Sequence, residues 1–149
     1  MRFSKSCEGQ AKVLSMYYGS PMIYEDQLFN SAIQLISWHK CKHPVYRHAI
    51  LESDNMRAGF LGTSLGRGFL ARHSKTEVFS LRSNWEAIAY KVISKIVRLK
   101  LEQNPVIMKI LLDTEDQVLV ENEQPVYWET EPTKNRTGKL LMQLRKRYG

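Results

Sequence analysis

Between Asn84 and Gln103, apolar residues recur at helical spacing for longer than anywhere else in the chain: Trp85, Ile88, Ala89, Val92, Ile93, Ile96, Val97 and Leu99. A stripe that wide is stable in water only when other elements cover it. The stretch therefore predicts a central helix with a core built around it. The bases Lys91, Lys95, Arg98 and Lys100 fall largely on the opposite side. Ser83, with Glu86 three residues on, reads as a capping box: the hydroxyl takes an orphan backbone N–H and the carboxylate reaches back.

Neighbouring segments supply the cover. Asn104-Pro105 gives an N-cap and a proline at the start of a helix carrying Ile107, Ile110, Leu111 and Leu112. A last helix over about 137–147 buries Leu140, Leu141 and Leu144 and crowds its bases at the C-terminal end, where the helix dipole favours cations. Upstream, Phe29, Ile33, Ile36 and Lys40 sit three or four apart, with Asn30 or Ser31 as cap and Pro44 as a barrier to continuation. Further helices fit 45–52 and 55–61, the second stopped by Gly62. Strand is scarce: 13–18 and 22–24 flank the turn Gly19-Ser20-Pro21, and 118–120 reads as a third. Residues 62–80, broken by Gly62, Gly66 and Gly68, read as a long exposed loop whose bases Arg67, Arg72 and Lys75 face only Glu77. The fold class is α+β, mainly α-helical: one domain over 1–149 with a small sheet.

At 43% hydrophobic and 25% charged residues, the chain can bury one core and is not disordered. No apolar run approaches the ~20 residues that cross a bilayer. Met1-Arg2-Phe3-Ser4-Lys5 leads into no apolar segment of the signal-peptide kind, so a cytoplasmic protein without a membrane partner is expected. Two cysteines, Cys7 and Cys41, make no disulfide framework. The net charge of +7 favours polyanionic partners. Seven acids and no base lie between Asp113 and Thr133; six bases and no acid follow from Lys134. The plainer reading is two solvated faces that partly neutralise each other. The sharper one is weak, salt-sensitive binding of RNA or DNA through Arg145, Lys146 and Arg147 together with Arg67, Arg72 and Lys75. His39-Lys40-Cys41-Lys42-His43 has metal-ligand residue types, but zinc needs about four converging ligands and the lysines oppose a cation, so no metal is expected.

Three later segments are more specific. Asn135 to Arg145 reads N-R-T-G-K-L-L-M-Q-L-R, matching N-x-L-G-x-L-L-M-x-L-R except at Thr137. Leu111-Leu112-Asp113-Thr114 and Leu119-Val120-Glu121 match L-L-x-T…L-V-E, and Asn84-Trp85 heads the long helix. In these segments, over about 14–147, the chain resembles the NADAR family. The resemblance implies a mainly helical α+β fold and cleavage of N-glycosidic bonds, the family's substrates being ribosylated riboflavin precursors or ADP-ribose on guanine bases. Such cleavage passes through a cation-like ribosyl centre. A carboxylate can stabilise it, while an amine or acid assists departure or traps the opened sugar. The glutamate and lysine of the family's S-E-H-Y-F-Q-A-x-K-F and the aspartate of its D-x-x-W-G suit those jobs. Here the first motif keeps only Lys40, with Ile33 at the glutamate, and Pro125 stands at the aspartate in Pro125-Val126-Tyr127-Trp128-Glu129. Neither replacement can ionise. A neighbouring acid, Glu123 or Glu129, could compensate for Pro125; nothing one turn away replaces the carboxylate at Ile33.

Three functions fit these residues. One is a catalytically lapsed NADAR-like domain that binds a nucleotide, an ADP-ribose-like or nucleic-acid ligand, or a protein partner. Another is an N-glycosidase centred on Lys40, and the third an interaction protein that keeps only the fold. No cofactor is called for. Under the first, Lys40, Asn84, Trp128 and Asn135, with Lys134 and Arg136 nearby, converge on one pocket that is apolar at Ile33. Trp128 then either packs in the core or stacks on a ligand ring.

Overall fold

In a computed structural model that describes residues 1–122, 125–129 and 134–149, the long helix spans Trp85–Gln103 and forms α5. Before it come α1 (Ala32–Lys40), α2 (Pro44–Leu51), α3 (Asn55–Leu61) and α4 (Ser64–His73), and after it α6 (Pro105–Asp113) and α7 (Arg136–Tyr148). Two short ribbons complete the described structure. β1 (Arg2–Phe3) pairs in parallel with β4 (Val120–Glu121), and β2 (Met22–Tyr24) pairs antiparallel with β3 (Gln27–Phe29). The fold is thus α+β and mainly helical. No helix among the described residues is long and apolar enough to cross a membrane.

α5 packs against α1, α6 and α7. Its Ile93, Val97 and Leu101 meet Ile33 and Ile36 of α1 and Leu141 of α7 in the larger of two apolar clusters. The smaller cluster lies among α2, α3 and α4, around Tyr46, Ile50, Leu61 and Phe79. Trp38, at the end of α1, packs against both.

Local chemistry departs from the sequence expectations at five places. The capping box does not form: Asn84 precedes α5 without a side-chain cap bond. Trp85 N–H instead donates to Arg82 O, and Arg82 N–H to Lys40 O, so a tight turn tied to α1 delivers the chain into the helix. Asn104 does not cap α6 either, because its side-chain amide donates to Pro21 O and Lys100 O. Lys100 points inward, its ammonium 2.7 Å from Ser15 O. Residues 10–14 form a 3₁₀ turn, Gln10–Leu14, in place of a strand; β2 pairs across Glu25-Asp26, both left-handed at φ 49° and 63°, a turn the residues E-D advertise poorly.

The fifth departure bears on the site. Residues 64–73 are helical, with the Thr63 hydroxyl accepting from Gly66 N–H as N-cap. The glycines there serve close packing rather than looseness. A Cβ on Gly66 would lie 1.9 Å from Phe60 O, so only glycine lets the start of α4 touch the end of α3.

Candidate functional site

Ser31 caps α1 by accepting from Gln34 N–H, and this sets the helical phase. Ile33, Ile36 and Lys40 then share the inward face, so the last turn of α1 drives a lysine to 1% exposure. Its ammonium stands 2.9 Å from Glu129 Oε1 and 3.4 Å from Gly62 O. Arg67, buried on the first turn of α4, donates to the same two oxygens, at 2.5 Å to Gly62 O and 3.1 Å to Glu129 Oε1. One carboxylate and one carbonyl thus bridge two cations where the two apolar clusters meet.

Glu129 follows the 3₁₀ turn Val126–Trp128 and lies in the left-handed region at φ 69°. That conformation costs a side-chain-bearing residue roughly 1–2 kcal/mol. The position corresponds to the glycine of the family's W-G, so a backbone shape suited to glycine here carries the acid that meets Lys40. Of the two acids named as substitutes for Pro125, Glu129 is therefore at the lysine, and Glu123 lies outside the described residues.

Burial pushes the Lys40 amine down to about 8; Glu129 opposes the shift and Arg67 adds to it. Two buried polar atoms beside it, Ser37 Oγ and Trp85 Nε1, have no hydrogen-bond partner among the described residues. A Cβ on Gly62 would fall 2.6 Å from Ser37 Oγ, and the Trp85 ring lies 5.8 Å from the ammonium. An unpaired buried donor costs about 1–3 kcal/mol, which a ligand atom or a water would relieve. Arg67 also lines an open cavity of about 410 Å³ with Arg72 and Glu77.

The other expected site residues spread out. Asn84 lines a surface cavity with Lys42 and Arg82. Trp128 is fully buried, beside Tyr90 and beneath the Arg136 guanidinium 4.1 Å from its ring, so it packs and presents no face to solvent. Asn135 ties backbone together: its Oδ1 accepts from Glu121 N–H and its amide donates to Leu119 O. Lys134 is exposed before α7. Arg72 and Lys75 are exposed at the end of α4. Arg145 donates to Thr114 and Gln117, and with Lys146 lines a cavity shared with Glu115 and Asp116; Arg147 is exposed. Ile33 has no exposed surface and packs beside Gly59.

Among the described residues no group of histidine, cysteine and acidic side chains is placed to hold a metal. His43 Nδ1 accepts from Val45 N–H to cap α2, Cys41 is buried in the smaller cluster, and His39 packs edge-on to Tyr24 and Trp38. Sequence reasoning missed Arg67 as the partner of Glu129. The signal available was Thr63 as a helix cap, which would have placed Arg67 on a first turn instead of in a loop.

The family model of the NADAR domain matches residues 2–148. Relatives named N-glycosidase YbiA, from Shigella boydii serotype 4 (strain Sb227), Shigella flexneri and Escherichia coli (strain K12), are each 39% identical over 79 residues. The match takes in 50% of this chain and 49% of each relative, so the chain spans about half the length of the curated relatives it matches. The NMR structure of the E. coli protein YbiA superimposes with a TM-score of 0.72 at 24% identity, covering 99% of this chain and 84% of that one, a likeness of fold. With the family pattern matched almost from end to end, the chain belongs to the NADAR family.

Proposed function

We propose that this NADAR domain binds a phosphate-bearing ribosyl ligand of the ADP-ribose class at the Lys40–Glu129–Arg67 cluster but cleaves N-glycosidic bonds poorly. The observation that carries the reading is the sharing of Glu129 Oε1 between two cations. A carboxylate engaged in that way has little charge left to offer a ribosyl cation. The position of the family's S-E-H-Y glutamate holds Ile33, which is sealed in the core. Losing one electrostatic group at such a centre costs on the order of 10²–10³ in rate. Binding is supported by the unpaired Ser37 hydroxyl and Trp85 indole N–H and by the cavity that Arg67 and Arg72 line, where guanidinium groups suit phosphate.

A second reading, an N-glycosidase centred on Lys40, is favoured by one observation. An amine held near 8 is partly neutral at neutral pH, as a lysine nucleophile must be. Calorimetry with free ADP-ribose, paired with a release assay on ADP-ribosylated guanine, tests both. We expect binding that weakens at least about tenfold in Arg67→Gln, the loss of one charge-assisted bond, and no release above the level of Lys40→Ala. Release that vanishes in Lys40→Ala would replace this reading with the lysine-centred enzyme. Absence of both binding and release would leave an interaction protein with the family fold.

A further inference from the structure

Arg82, on the segment between α4 and α5, lines two cavities at once. One, of about 610 Å³, also contains Lys42, Ser80 and Asn84. The other, of about 300 Å³, has Tyr24 and His39 on one wall, Ile88, Val92 and Ile96 on another, and Lys91 and Lys95 at its edge. The first shares Ser80 and Leu81 with the cavity that holds Arg72. The three therefore form one trough along residues 77–84 and the adjacent face of α5.

Its charge is one-sided. Lys42, Arg72, Arg82, Lys91 and Lys95 make no ion pair among the described residues. Glu77 lines the far cavity, and Glu25 neighbours Tyr24 at the other end. The C-terminal bases are in the opposite situation, since Arg145 and Lys146 share their cavity with Glu115 and Asp116. The Tyr24–His39 end differs in kind from the rest: two rings 5.1 Å apart over aliphatic side chains, with the Lys95 ammonium 5.4 Å from the Tyr24 ring.

We infer that this trough binds single-stranded nucleic acid, its backbone following Arg72, Lys42, Arg82, Lys91 and Lys95 and one base seated against Tyr24 and His39. Cations in a row take successive phosphates, and an aromatic pocket takes the face of any base. A mononucleotide would occupy one of the three cavities and leave the rest unused. His39 stays neutral at physiological pH, since burial and then Arg47, Arg82 and Lys95 push it down to about 4, so its ring can serve as a packing surface without adding charge. The inference shares Arg72 and its cavity with the proposed function, but Tyr24, Lys91 and Lys95 line a cavity that contains neither Arg67 nor Arg72, so variants there test it apart from that function.

The test is fluorescence anisotropy of a labelled single strand of about 12 nucleotides, within the usual site size of such grooves, titrated from about 50 to about 200 mM salt. The wild-type chain should bind with an affinity that falls steeply with salt. Exchanging the exposed pair in Lys91→Gln/Lys95→Gln should weaken binding at least about tenfold and flatten the slope of log K against log salt by about 1.4, the value for two lost phosphate contacts on a single strand. Tyr24→Leu should weaken binding without changing that slope. Lys146→Gln/Arg147→Gln should leave both unchanged. Circular dichroism melting confirms that each variant is folded. No binding at the lowest salt, an equal loss in the C-terminal pair, or a mononucleotide bound as tightly as the strand would each overturn the assignment.

Discussion

Lys40 is a core position by helical phase and a charged residue by chemistry, and Glu129 and Arg67 are the neighbours that reconcile the two. The pair leaves a signature in the pH dependence of stability. In the folded chain the amine titrates at about 8, against an ordinary value of 10.5. Between those values the unfolded chain holds a proton that the folded chain has released, so raising the pH favours the folded state. Below about 8 both states are protonated and the cost of burying the cation is carried in full. We therefore expect the wild type to gain stability relative to Lys40→Met as pH rises from 8 to 10.5, by on the order of 3 kcal/mol at most. Urea titrations at a series of pH values measure it, and parallel curves for the two proteins would refute the assignment. The sequence made Lys40 legible as the retained member of a motif. Glu129 was legible as one of two acids that could stand in for Pro125; its pairing with Lys40 was not, because it sits where the family has glycine and reaches the lysine through a left-handed backbone.

At the scale of elements, Thr137 ties α7 to the turn before it by hydrogen bonds. Thr137 Oγ1 lies 2.6 Å from the Tyr127 hydroxyl and accepts from Trp128 Nε1 at 3.0 Å, while Tyr127 also donates to Glu121 on β4 at 2.5 Å. Thr137 is the one break in the N-x-L-G-x-L-L-M-x-L-R pattern, and the structure explains it: the hydroxyl is the acceptor for a fully buried indole. Restoring the family residue in Thr137→Leu should therefore destabilise the chain by about 1–3 kcal/mol, the cost of an orphaned buried donor. This runs against the usual gain from a consensus change, and chemical denaturation reads it directly. A neutral or stabilising result would mean that the indole finds another partner. The same reasoning separates what was readable among the elements. The helices 32–40, 44–51, 55–61, 85–103, 105–113 and 136–148 follow from apolar spacing and proline or glycine boundaries. Helix α4 escaped notice because Gly66 and Gly68 read as breaks, whereas Gly66 is required by the approach of a neighbouring backbone that only the tertiary structure reveals.

The molecule as a whole has two apolar clusters of unequal size, one organised by α5 and the other enclosed by α2, α3 and α4. Smaller buried surface implies a lower opening free energy. Native-state hydrogen exchange should accordingly show amides of α2–α4 exchanging through a partial opening, while those of α5 exchange only with global unfolding. Equal protection in both groups at zero denaturant would show that the seam at Lys40 makes the clusters one cooperative unit. The trough and the Lys40 cluster flank the same last turn of α1, from which His39 faces one and Lys40 the other.

β1 pairs in parallel with β4, Arg2 against Val120 and Phe3 against Glu121, so one strand is made long before its partner. At ordinary rates of synthesis the partner emerges roughly ten seconds later. Glu129 and α7 emerge later still. During that interval Lys40 has helices around it but no carboxylate to meet, and a cation cannot settle unpaired into an apolar seam. Assembly of the interior around α1 is therefore deferred until Glu129 has been made, and a ribosome stalled short of it would hold a nascent chain with its lysine still facing water.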